Sequence, residues 1–142
     1  MSASREGCYA ALFALLGATP GIAVASRKLK LLVEVNNAEL PALFMQVDRQ
    51  TAAQKPGTPA QRRLMALVYL YAANPDPNGV ASTALNGLID AVETALMPAP
   101  AAQVQTLGGV VAHAWIDGAI EVYEAPKGQR AASVIPVMML MP

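Results

Sequence analysis

The chain has 142 residues, 54% of them apolar and 14% charged, with ten basic side chains against ten acidic ones. That length fits a single domain over 1–142, and the balanced charge argues against a duplex-binding module, which carries a basic excess or stripe. One cysteine, Cys8, excludes an intramolecular disulfide framework, and the longest apolar run, 134–141, is broken by Pro136 and far shorter than the ~20 residues of a spanning helix.

In chain order, Ser4 caps a first helix whose stripe is Tyr9, Leu12, Phe13 and Leu16. Gly17 stops it, and Thr19-Pro20-Gly21 turns the chain. Residues 22–35 read as extended or irregular; they carry the small basic cluster Arg27, Lys28 and Lys30 and lead to the turn-prone Asn36-Asn37. A strand is predicted over 43–47 and a stronger one over 63–71. In the latter, Leu64, Ala66, Val68 and Leu70 alternate with Met65, Leu67, Tyr69 and Tyr71. Both faces are apolar, which predicts a central strand covered on both sides.

Between these strands lies 48–62, polar and punctuated by Lys55-Pro56-Gly57-Thr58-Pro59. It is too long for a tight hairpin turn and reads as an arm projecting from the sheet. A turn cluster at 74–79 precedes the clearest helix, with Leu85, Leu88, Ile89, Val92 and Leu96 on one stripe and Asn86, Asp90 and Glu93 off it. Pro98 and Pro100 end that helix. Strands are predicted over 110–116 and 120–123, joined by Asp117-Gly118 as a type I′ hairpin. After a turn at Pro126-Lys127-Gly128, a last strand runs over 132–141, with Pro136 placing it at a sheet edge or a bulge. The order of elements predicts an α+β fold: a mainly antiparallel, mixed sheet with two helices packed on one face and a long protruding β-hairpin or loop.

No catalytic, cofactor-binding or metal site emerges. The one histidine, His113, points along its strand with Val111 and Trp115, and reads as structural. Ser133 and Asp90 are the nearest thing to triad partners, and nothing in their spacing distinguishes them. One His and one Cys are too few for a zinc site of nitrogen and sulfur ligands. Gly108-Gly109 lacks the spacing and the following helix of a phosphate loop and suggests sheet entry or a bulge. Cys8 reads as a small core-side residue. Glu121 and Glu124 show no acid/base spacing.

A soluble domain carries about a quarter charged residues, and large apolar surfaces usually mark contacts. The low charge therefore predicts that part of the surface is covered by other copies. Candidate contacts are Arg49, Lys55, Arg62 and Arg63 of the arm and Met138, Met139 and Met141 of the last strand. The first residues lack the basic start and cleavage site of a secretory signal, so the expectation is a protein that stays in the cytoplasm where it is made.

Three stretches together resemble the tail terminator family of long-tailed bacteriophages, which includes lambda's minor tail protein U and counterparts in Mu-like siphophages. They are Ser26-Arg27-Lys28-Leu29 with Glu39-Leu40-Pro41-Ala42-Leu43-Phe44; Leu85-Asn86-Gly87-Leu88-Ile89-Asp90-Ala91-Val92 with Ala95-Leu96 and Pro98; and Thr106-Leu107-Gly108-Gly109-Val110-Val111-Ala112-His113-Ala114-Trp115-Ile116-Asp117-Gly118, closed by Val134-Ile135-Pro136-Val137. The resemblance implies a structural virion protein of the tail or neck, without enzymatic activity or cofactor, assembled in the host cytoplasm. It implies a hexameric ring that caps the tail tube, stops its polymerisation and meets the head-tail connector, with DNA passing through the lumen unread. Another neck protein of the same virion, or a small oligomeric α+β enzyme or ligand-binding domain, are the alternative readings.

Overall fold

The computed structural model describes residues 4–74, 76, 78–124 and 129–142; Pro75, Pro77 and the turn expected at Pro126-Lys127-Gly128 lie outside the described residues. Helix α1 (Arg5–Gly17) begins where expected, with the Ser4 hydroxyl accepting the Gly7 N–H at 2.9 Å and so satisfying one of the first-turn donors. Its end is held by Thr19, a buried residue whose hydroxyl donates to the Leu16 carbonyl at 2.6 Å. Cys8, Tyr9, Leu12 and Leu16 are buried, and Phe13 packs at their margin. Burial also pushes the Cys8 thiol above its ordinary pKa, as expected of a neutral core residue.

The stretch expected to be irregular holds a short strand, β1 (Val24–Ser26), paired parallel to the start of β2 (Ala42–Ala53). Two single turns of 3₁₀ helix, Leu32–Glu34 and Asn37–Glu39, follow β1. They are pinned from the sheet: the Tyr71 hydroxyl donates to the Lys30 carbonyl at 2.7 Å, and Arg130 donates to the Leu32 carbonyl at 2.7 Å and to Asn37 Oδ1 at 2.8 Å. Glu39 accepts from the Asn36 N–H and from Lys30, and these bonds hold its carboxyl below the usual range.

Strand β3 (Gln61–Ala73) pairs antiparallel with β2, then with β6 (Arg130–Leu140) on its other side. Helix α2 (Ala81–Leu96) and α1 cover one sheet face. Leu85, Leu88, Ile89, Val92 and Leu96 of α2 join Leu43, Met45, Leu64, Ala66, Val68, Leu70, Ile135, Val137 and Met139 in one buried core. The helix stripe read from sequence is the buried stripe, and Asn86, Asp90 and Glu93 are exposed. Leu88→Asp should therefore unfold the domain, because a carboxylate under α2 finds no partner and costs several kcal/mol. Glu93→Ala should stay within about 0.5 kcal/mol; urea melts of both variants check the phasing.

Three expectations need correction. First, β4 (His113–Ile116) and β5 (Glu121–Glu124) form no hairpin with each other: both pair with β6, β4 against 137–140 and β5 against 131–134. They are two pieces of one edge, interrupted opposite Pro136. Second, Pro136 therefore does not force β6 to an edge, since β6 lies between β3 and the β4/β5 edge. Proline lacks the N–H that a continuous neighbour would bond, so the edge opens there. The Asp117 N–H still reaches the Pro136 carbonyl at 3.0 Å, while Gly118 takes a φ of +107° that favours glycine. Third, the second face of the sheet is sealed only at one end, where Val35, Ala42, Phe44, Tyr71 and Ala132 form a small cluster under the 3₁₀ segment. The remainder, including Met65, Leu67, Tyr69, Val134, Pro136 and Met138, is only half-buried.

Candidate assembly surface

Of the two forms expected for the polar stretch after 47, hairpin or loop, it takes the hairpin. Past a register shift between Val47 and Gln50, strands β2 and β3 stay paired from Gln50↔Leu64 to Ala53↔Gln61, and beyond Arg63↔Leu140, the last β3–β6 pair, they continue as a two-stranded ribbon. A bulge of this kind bends and twists a hairpin. Its base is braced from α1: the Tyr9 hydroxyl donates to the Met65 carbonyl at 3.1 Å, and the Gln50 side-chain amide donates to the Tyr9 oxygen at 3.4 Å. Every residue from 46 to 59 is exposed. The Thr58 hydroxyl donates to the Lys55 carbonyl at 2.8 Å and closes the tip.

Four basic side chains and one acidic one lie between Asp48 and Arg63. Arg49, Lys55, Arg62 and Arg63 are all exposed, and none makes a salt bridge among the described residues. At the arm's base the Met141 N–H donates to the Arg62 carbonyl at 2.9 Å, extending the β6 pairing by one residue. Lys55, Thr58, Pro59, Leu140 and Met141 line a shallow hollow of about 560 Å³ there. The structure thus gathers Lys55, Arg62 and Met141. Met138 faces outward on the half-open sheet face, opposite Met65 and Trp115. Met139 points the other way and is fully buried, so it belongs to the core and leaves the set of candidate contacts.

Further along the open face lies a second depression of about 490 Å³, floored by Leu67, Tyr69, Val134 and Pro136 and rimmed by Glu121 and Tyr123. The Tyr123 hydroxyl donates to Glu121 at 2.7 Å, and this bond raises its pKa. On the same edge strand Val122 and Tyr123 are 47% and 56% exposed, with Val33 on the 3₁₀ segment at 86%. Sequence reading weighed Glu121 only as an acid/base group and passed over Tyr123, because four alternating residues look like any edge strand. Their signal is the pairing of an exposed aromatic with an acid beside the Pro136 gap.

The residues weighed for chemistry stay apart. His113 pairs with Leu140, seven residues along β6 from Ser133, which is about 23 Å of strand. Ser133 is buried on the helix-covered side, while Asp90 is exposed on α2. The His113 Nδ1 accepts the Gln105 N–H at 3.0 Å, and its ring stacks on Trp115 with centroids 5.0 Å apart. Those contacts occupy it structurally. Gly108 and Gly109 form no bulge; they lie at the entry to the sheet, just ahead of Ala112 and β4. Both have positive φ in a turn closed by the Gly109, Val110 and Val111 N–H groups on the Thr106 carbonyl. Among the described residues no cluster of three or more His, Cys, Asp or Glu side chains could hold a metal ion. No described helix is long and apolar enough to cross a membrane.

No protein-family model matches the chain, and no curated protein matches it in sequence. A chain from the virion of a native gene transfer agent particle matches in structure with a TM-score of 0.51 and 13% identity, over 97% of this chain and 93% of that one. The likeness covers both helices and the sheet, so the whole fold is shared. A second solved chain shows a weaker likeness, with a TM-score of 0.49 and 16% identity over 98% of this chain and 96% of its own.

Proposed function

We propose that this chain is a structural, non-enzymatic protein of a phage-like virion. It assembles as a hexameric ring on the end of the tail tube, stops tube polymerisation and offers the surface that joins the tail to the head connector. The observation that carries this reading is the fold shared, nearly end to end, with a chain of a gene transfer agent virion. The half-open apolar sheet face and the projecting basic arm support it, because both are surfaces that a lone domain has no use for.

A ring built from one chain needs two different patches on each copy, one presented to each neighbour. Arm and open face are such a pair. At roughly 25 cal/mol per Å² of apolar surface, a lateral contact of several hundred Å² supplies ample gross driving force before association costs. Light scattering over a wide concentration range tests the reading. A species that grows with concentration toward six copies is the expected result, and a dimer that stays compact at every concentration contradicts it.

A further inference from the structure

We propose that the depression rimmed by Glu121 and Tyr123 receives the arm tip of a second copy of this chain, with Lys55 of the incoming arm set against Glu121. This rests on the ring reading above and names the lateral contact it requires.

The receiving site has an apolar floor and an acidic rim: Leu67, Tyr69, Val134 and Pro136 line it, and among the described residues its one charged side chain is Glu121. The arm tip is its complement. It presents Pro56 and Pro59, rigid apolar rings suited to the exposed faces of Tyr69 and Tyr123, and its one charged side chain is the exposed Lys55. Charge complementarity of this kind fixes register and rejects wrong partners more than it adds raw affinity.

A chain's own arm is not the occupant. The arm leaves the sheet at the end where Arg63 pairs with Leu140, and it runs away from the depression, which lies against Val134 and Pro136. Beyond the last β3–β6 pair, Arg63↔Leu140, the ribbon projects two paired positions, Ala52↔Arg62 and Ala53↔Gln61, about 7 Å, before its seven-residue tip. The tip stands at the rim of its own sheet, beside Leu140 and Met141, with Lys55, Pro56 and Pro59 exposed toward a neighbouring copy. Because donor and acceptor patches differ, each copy gives one arm and receives another, and the contact repeats in one direction around a ring.

The test is a charge swap. Wild type, Lys55→Glu, Glu121→Lys and the double variant are compared by sedimentation velocity at low ionic strength, alone and on tail tubes. Both positions are exposed, so each variant should melt with the wild type. Each single reversal sets like charges together and should weaken self-association by about tenfold or more, and the double variant should recover most of it. The difference should shrink in about 0.5 M salt, where exposed charges are screened within a few Å. Single variants that assemble like the wild type, or a double variant no better than the singles, overturn this contact while leaving the ring intact. A wild type that stays monomeric both alone and on tubes overturns the ring and the contact together.

Discussion

Met139→Lys should unfold the domain, whereas Met138→Lys, one residue away, should leave it folded. Met139 is fully buried and paired with Leu64 and Ala114, themselves buried, on the side of the sheet covered by the helices. A lysine there either holds its charge in apolar surroundings or gives up its proton at pH 7, and either way the cost is several kcal/mol. That is comparable to the whole stability of a small domain, about 5–15 kcal/mol. Met138 lies on the opposite, half-open face. A lysine at that position lays its stem along the sheet and keeps its ammonium in water, so its melt should move by no more than about 1 kcal/mol. Its effect should appear instead in assembly. Circular dichroism in urea separates the two variants, and equal destabilisation would mean that β6 is assigned to the wrong faces.

Replacing 54–60 with a two-residue Asn-Gly turn should leave stability nearly unchanged and abolish tail termination. The removed residues lie beyond the last ladder pair, Ala53↔Gln61, and none belongs to either buried cluster. Asn-Gly suits the type I′ turn that joins two strands directly, so the ribbon keeps its twist and loses only its tip. Lys55, Pro56 and Pro59 go with it. Virions carrying this variant should show over-long tails or tails that never join heads, while its melting temperature stays within a few degrees of the wild type. Normal virions would make the tip a passive loop and move the contact surface elsewhere.

The parts of the fold legible in the sequence are those where burial follows a period. The α2 stripe could be placed residue by residue because its buried positions recur every three or four residues. The alternation within β3 and β6 was legible too, but not which side is inward, since both sides are apolar, and Met139 was read as a contact where it is core. The outer half of the β2–β3 ribbon left no such trace. With both of its faces in water, Asp48 to Ala53 has no apolar alternation to reveal a strand, and a hairpin looks like a loop. The Asp117-Gly118 pair misled for a different reason: a local turn preference is overridden when both flanking strands find a better partner in β6. Long-range pairing of that kind leaves no local mark.

The surface was half legible. The low charge predicted a covered surface, and the basic arm residues were visible as a group. The acidic rim at Glu121 was not, because it becomes a site only when Pro136 opens the edge and brings Ala119 to Tyr123 beside Leu67 and Tyr69. Cys8 and His113 illustrate the converse. Both residue types draw the eye as chemistry, and packing uses both, one sealed under the sheet and the other stacked on Trp115.

The central claim is that this chain ends a tail tube as a closed ring, and electron microscopy of growing tubes tests it most directly. Tail tube protein from the same virion is polymerised with and without the purified chain, and tube lengths and end views are recorded. The account predicts tubes of arrested length whose growing ends carry one added layer with six-fold symmetry. Tubes that lengthen at the same rate in its presence, with bare ends, would contradict it.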